Sequence, residues 1–287
     1  MSKKKRLEEF VAWLRSEDRE PATIEKYRRD VERFEEWNDS PGNEDGDRPP
    51  TTETFSSAIA LWKEHLIESG YAPVSINSMF AAVNTYCRYL GLNVRVRFLR
   101  IQKKLFRDEG KELTKAEYEK LVAAAEEKGK ERLALLLETI GSTGIRVSEV
   151  QYITVEALKA GRAQISLKGK IRVILIPKKL SRKLLKYAHQ KNITSGAVFT
   201  TRNGKPMSRK QIWAEMKGIC QKAGVSAEKV FPHNLRHLFA TIYYQTTRDV
   251  AKLADLLGHS SIETTRIYLI SSGKEHARLL DSLELVT

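Results

Sequence analysis

In His233-Asn-Leu-Arg236 an imidazole and a guanidinium stand three residues apart, which puts both on one face at the start of a helix. A helix N-terminus adds free N–H groups and the positive end of the macrodipole, so the pair outlines a pocket for a phosphate. His237 follows His233 at the i, i+4 spacing of two metal ligands, but no HExxH pattern or carboxylate cluster surrounds them, so no metal and no cofactor is expected. Alone, these residues would read as a buried histidine and a surface arginine. They are followed by Leu256-Leu-Gly258-His259-Ser260 and by Thr264-Thr265-Arg266-Ile267-Tyr268, with nine residues from His259 to Tyr268. Arg146 lies upstream in TGIRVSEV. Each has an ordinary reading by itself: Tyr268 as a core aromatic, Arg146 as the helical i, i+3 partner of Glu149. Their joint occurrence in one basic half of the chain favours a shared site.

Arg146, His233, Arg236, His259 and Tyr268, in that order and within those motifs, resemble the signature of the tyrosine recombinases, the family of phage integrases and Xer proteins. Breaking a phosphodiester without metal requires a nucleophile, charge neutralisation on the phosphorane-like transition state, and an acid for the departing 5′ oxygen. The resemblance implies that Tyr268 is the nucleophile, forming a 3′-phosphotyrosyl bond that stores backbone energy for religation without ATP. It implies that Arg146 and Arg236 hold the nonbridging oxygens with their planar forks. A free tyrosine has a pKa of about 10, and His233 matches the family's general base, while His259 matches a residue that hydrogen-bonds the scissile phosphate. The family's general acid is a lysine at the tip of a β-hairpin, which corresponds best to Lys168, with Lys170 as the alternative two residues on. A type IB topoisomerase-like enzyme and a non-catalytic DNA-binding protein are the competing readings.

The elements that would position these residues are mostly helical. Leu7, Phe10, Val11 and Leu14 mark a first helix; Ile24, Tyr27, Val31 and Phe34 mark a second, with Thr23 as its cap after Pro21. Residues 55–68 and 74–90 follow, the last ending at Gly91 as an αL cap. Thr114 and Glu117 form a capping box, residues 131–140 a helix broken by Gly141-Ser-Thr-Gly144, and Ser148 and Glu149 open a new one. Alternation over Ala163–Ile176 around Lys168-Gly169-Lys170 predicts a β-hairpin stopped by Pro177. Further helices are expected over 180–189, 208–223, 234–246, 250–257, 262–269 and 276–285. The fold class is therefore mainly α. The resemblance implies a SAM-like helical core-binding domain over 1–102, a basic linker over 103–112, and a catalytic domain over 113–287 with a small antiparallel β-hairpin, the DNA breaking-rejoining fold.

The 287 residues carry 50 Lys+Arg against 36 Asp+Glu, a net charge of +14 that calls for a polyanionic partner. The first 100 residues hold 16 basic and 17 acidic groups, a net of −1, so the excess lies beyond them. From Gly161 to Lys222 there are 16 Lys/Arg and one acid, Glu215, which favours nucleic-acid contact over a merely soluble surface, and the resemblance implies double-stranded DNA as that partner. Arg202, Lys205, Arg209 and Lys210 lie in a turn leading into a capped helix suited to the major groove. Lys170 and Arg172 on the hairpin are further expected contacts, and Lys178, Lys179, Lys183 and Lys186 are placed to track phosphate. Arg97, Arg100, Lys103 and Lys104 form a basic connector. In the near-neutral first domain a basic inner face (Lys26, Arg29, Arg88) is expected, with the acids relegated to the loop around 38–52.

The resemblance also implies a homotetramer on two DNA sites, monomeric or dimeric when free. Ala277, Leu280, Leu283 and Leu285 are offered as a C-terminal anchor on a neighbour, or as a helix packed in cis. Two separated cysteines, Cys87 and Cys220, and no apolar run near the ~18 residues of a membrane span favour a reducing, cytoplasmic setting without membrane contact.

Overall fold

The computed structural model describes residues 3–39, 51–101, 109–167, 170–259, 261–268 and 281–283. The chain divides into two compact units, Met1–Lys103 and Lys104–Thr287.

The first unit is built from α1 (Lys3–Ser16), α2 (Pro21–Asn38), α3 (Thr52–Glu68) and α4 (Pro73–Tyr89). Phe10, Leu14, Val31, Phe34, Trp62 and Phe80 recur at helical spacing and meet in its core. Helix α2 starts at Pro21, not after Thr23: a proline is tolerated at the first helical position because its missing N–H would be unpaired anyway. A buried polar knot sets the register of three helices. The Tyr86 hydroxyl donates to Glu35 Oε1 at 2.7 Å, and Arg6 reaches Tyr86 at 3.0 Å and Glu35 at 3.3 Å. Contrary to the expectation that the acids are relegated to the loop around 38–52, Glu25, Asp30, Glu32 and Glu35 line α2. Lys26 bonds Asp30 at 2.5 Å, Arg29 lies 3.7 Å from Asp30, and Arg88 lies over the Trp13 ring.

After α4 the basic run begins as part of this unit. Asn84 clamps the backbone of Val96, taking its N–H at 2.7 Å, and Asn77 does the same for Leu99 at 2.7 Å. Leu92, Val94, Val96 and Leu99 turn inward while Arg95, Arg97 and Arg100 are exposed. Lys103 and Lys104 lie outside the described residues.

The second unit opens with the Thr114/Glu117 capping box and α5 (Lys115–Glu127). Helix α6 (Glu131–Thr143) runs through Gly141, against which the Tyr118 ring packs, and ends only at Gly144. A 3-10 turn over Val147–Tyr152 holds Ser148 and Glu149. Next comes α7 (Val155–Ala160), unforeseen although Thr154 caps its start and Gly161 its end. Strands β1 (Arg162–Leu167) and β2 (Lys170–Leu175) pair antiparallel, with Ile165 opposite Arg172. Lys168 and Gly169 lie outside the described residues. Helix α8 (Lys178–Gln190) follows, and the helix expected over 208–223 is two pieces, α9 (Arg209–Lys217) and α10 (Cys220–Ala223), parted at Gly218, a poor helix former. The unit ends in α11 (Pro232–Thr247), α12 (Val250–Leu257) and α13 (Ile262–Arg266). Its core gathers Leu121, Leu136, Leu137, Ile140, Leu184, Phe199, Ile212 and Leu235, so α6 is sheathed by α5, α8 and α11. Among the described residues no helix is long and apolar enough to cross a membrane.

Candidate active site

Arg236 sits at the centre. Pro232 starts α11, which puts Arg236 in the opening turns and directs it inward, only 3% exposed. A buried guanidinium must spend its donors, and Arg236 does so on two helix ends. Nη1 donates to the carbonyl of Gly144 at 2.6 Å, and Nη2 to the carbonyl of Leu257 at 2.8 Å. Nη2 also lies 3.0 Å from His259 Nε2. Both carbonyls belong to helix C-termini, where unpaired acceptors and the negative dipole end favour a cation. Burial and the neighbouring Arg146 charge push the Arg236 pKa down to about 10, with Tyr268 opposing them, so it stays protonated at neutral pH. Gly144 itself has a φ of +62°, and a Cβ there would collide with the Phe239 ring.

The second arginine is held from the other side. Glu149 is a buried carboxylate that accepts from the backbone N–H of Arg146 at 2.8 Å, from Arg146 Nη1 at 2.9 Å, and from Arg172 Nη1. Burial raises its pKa, but the Arg146 N–H, the Arg172 charge and the side-chain hydrogen bonds from both arginines outweigh this and hold it below the usual carboxylate range. Arg146 also reaches the Gly258 carbonyl at 3.3 Å, while its side chain stays 42% exposed and open to an incoming anion. The i, i+3 pairing with Glu149 and a role at an anion site are thus compatible: the carboxylate orients the guanidinium and leaves donors free.

His259 follows α12 past the αL turn at Gly258, and its two ring nitrogens have different neighbours. Nε2 faces Arg236, a donor only, so Nε2 is the acceptor and Nδ1 carries the hydrogen, 2.9 Å from the Thr265 hydroxyl. Burial, then the charges of Arg236, Arg146 and Arg172, drive the His259 pKa down to about 4, which keeps the ring neutral. His233, in the first turn of α11, is likewise held below the ordinary imidazole value by desolvation and by Arg236. Tyr268 lies beyond α13 in a turn, 1% exposed, among Ala240, Leu253 and Leu257. Its ring stacks on His259 at 6.0 Å and 11°, and the His237 ring meets its edge at 4.9 Å. His237 itself lies 3.7 Å from Glu112.

The structure therefore brings Arg146, Arg236, His259 and Tyr268 together, with His233 beside Arg236. It leaves other sequence-read residues elsewhere. Arg172, expected on DNA, is turned inward at 12% side-chain exposure and bonds Glu149 and the Leu256 carbonyl (2.8 Å), because it shares the apolar face of the hairpin with Ile165 and Ile174. Arg202, Lys205, Arg209 and Lys210 are exposed around the start of α9, where Ser208 and Gln211 complete a capping box. The single acid of that basic stretch, Glu215, is paired with Arg132. Lys170 forms the first pair of the hairpin with Leu167. Sequence reading missed Glu149 as a hub and Thr265 as the partner of His259. The Arg146-x-x-Glu149 spacing was a signal for the first; nothing local marked the second.

Residues 111–275 match the model of the phage integrase family, more than half of the chain, and residues 7–92 match the phage integrase N-terminal SAM-like domain. The chain belongs to the phage integrase family. This integrase-family chain is 31% identical to tyrosine recombinase XerA of Pyrococcus furiosus, over 96% of its own length and 95% of the relative's. It is 29% identical to tyrosine recombinase XerD of Vibrio cholerae, over 86% and 84%. It is a tyrosine-type site-specific recombinase. Its fold matches that of a lambda integrase dimer bound to a COC′ core site, with a TM-score of 0.70 at 19% identity, covering 93% of this chain and 95% of that one.

Proposed function

We propose that this recombinase cleaves and rejoins double-stranded DNA through a 3′-phosphotyrosyl bond to Tyr268, using neither metal nor ATP. The observation that carries the reading is the convergence of two guanidiniums, a neutral imidazole and a tyrosine around one point, with Arg236 Nη2 3.0 Å from His259 Nε2 and the Tyr268 ring stacked on His259. Arg146 offers exposed donors to one nonbridging oxygen and Arg236 a rigid buried charge to the other. As the tyrosine oxygen attacks phosphorus, charge grows on those oxygens, and donors fixed beforehand need no reorganisation. His233, kept neutral beside Arg236, takes the phenolic proton as general base. The departing 5′ oxygen takes its proton from Lys168 or Lys170. Attack by a free 5′ hydroxyl then reverses the steps and releases Tyr268.

The excess of cations over 161–222 supports duplex DNA as the partner, with affinity that falls steeply as salt rises. The similarity to proteins named as Xer tyrosine recombinases supports Xer-type resolution of chromosome or plasmid dimers, or integration and excision of an element, as the process, and the reading includes a tetramer on two sites. The anchor residues Ala277, Leu280 and Leu285 lie outside the described residues. The test uses adduct capture. Wild-type chain is incubated with sheared genomic DNA from its source organism, denatured, and the covalently held fragments are sequenced to obtain the site. A nicked duplex built on that site should give a denaturant-resistant adduct with wild type and none with Tyr268→Phe. An equal adduct with both variants would overturn the assignment of Tyr268.

A further inference from the structure

The side chain of Arg172 does a job that no DNA contact requires. It leaves the middle of β2 on the face shared with Ile165 and Ile174, and its guanidinium spans two separate segments. One end meets the Glu149 carboxylate, the same group that grips Arg146 through both backbone and side chain. The other end donates at 2.8 Å to the carbonyl of Leu256, three residues before His259. Its stem lies flat on the turn between them: a Cβ at Gly258 would stand 2.5 Å from Arg172 Cδ and 2.6 Å from Nε. Gly258 is thus glycine for two reasons, its φ of +63° and the arginine stem pressed against it.

We propose that Arg172 is a positioning residue that locks three parts of the site together. These are the hairpin carrying Lys168 and Lys170, the Glu149–Arg146 pair, and the turn that presents His259. The inference rests on the reading of Tyr268 and its partners given above. A planar fork suits this role because two acceptors lying in different directions are met by one rigid group. A lysine ammonium in its place keeps the charge yet lacks the second arm, so it holds Glu149 or Leu256 and not both. Without the lock Arg146 and His259 drift relative to the hairpin, and a displacement near 1 Å in such a site lowers the rate about 100-fold.

The full-length chain and the nicked duplex from adduct capture serve for the test. Single-turnover adduct formation is measured at saturating DNA for wild type, Arg172→Lys and Arg172→Met, together with DNA affinity across a salt series. Positioning predicts that both variants lose about 100-fold in saturated rate while affinity and its salt slope stay at the wild-type values. Unchanged saturated rates, or weaker binding with a salt slope reduced by about one, would overturn it and mark Arg172 as a phosphate contact. Gly258→Ala reaches the same contact from the other side and covers the case in which an Arg172 variant folds poorly. It should lower the saturated rate of the wild type by more than it lowers that of Arg172→Met, where the contact with the arginine stem is gone and only the strain of alanine at positive φ remains. Additive losses would count against the shared contact. Wild-type chain that forms no adduct refutes the reading of Tyr268 instead.

Discussion

Replacing Thr265 by valine removes one hydroxyl and almost no volume, and its effect can be worked out from two distances. Thr265 is fully buried, and its Oγ1 lies 2.9 Å from His259 Nδ1, while the Nε2 of the same ring accepts from Arg236 at 3.0 Å. In Thr265→Val the ring has two choices. It keeps its hydrogen on Nδ1 and buries an unpaired donor, which costs about 1–3 kcal/mol. Otherwise it moves the hydrogen to Nε2, where it confronts the Arg236 donor and loses that bond instead. Either way the imidazole and guanidinium no longer hold one another in place. Carried into the transition state, about 1–3 kcal/mol is a loss of about 5- to 150-fold in rate. Single-turnover adduct formation at saturating DNA reads the loss, and a thermal melt of the same variant separates the share that falls on stability. Thr265→Ser, which keeps the hydroxyl, should recover most of the rate. A Thr265→Val chain as fast as wild type, or a serine variant as slow as valine, would refute the tautomer argument.

Two further outcomes follow from the same geometry. Gly144→Ala should destabilise the second unit by about 2–5 kcal/mol, from about 1–2 for an alanine at positive φ and about 1–3 for crowding Phe239, lowering its melting midpoint by several degrees; a melt unchanged from wild type would contradict the packing described. His259 should titrate at about 4 when its ring signals are followed by NMR in the free chain. Because the unfolded chain binds that proton near pH 6.5 and the folded chain only near 4, stability should be lost as pH falls through this window. A ring titrating at 6.5 would show that the arginine cluster does not act on it.

Much of the fold was legible because its signals are local. Thr114 with Glu117 announces α5, and residues 250–257 form α12 with the bounds their pattern predicts. Errors arose where a distant group intervened. Gly141 reads as a helix breaker, yet α6 passes through it, and the missing side chain leaves the room that the Tyr118 ring fills. Of the basic connector read into Arg97, Arg100, Lys103 and Lys104, the stretch up to Arg100 belongs to the first unit, because Asn84 and Asn77 hold the backbone of Val96 and Leu99 from α4.

The site divides in the same way. The order and motifs of Arg146, His233, Arg236, His259 and Tyr268 suffice for the family resemblance, and the resemblance in turn implies the chemistry they share. What sequence cannot carry is which donor meets which acceptor. Arg172 reads as one more hairpin cation, but the register of β1 and β2 places it with Ile165 and Ile174 on the face that packs into the interior. There Glu149 and the Leu256 carbonyl, 23 and 84 residues away along the chain, claim its donors. The tautomer of His259 depends likewise on Arg236 on one side and Thr265 on the other. Such pairings follow from where separate helices end, and a buried charge must be matched wherever folding leaves it.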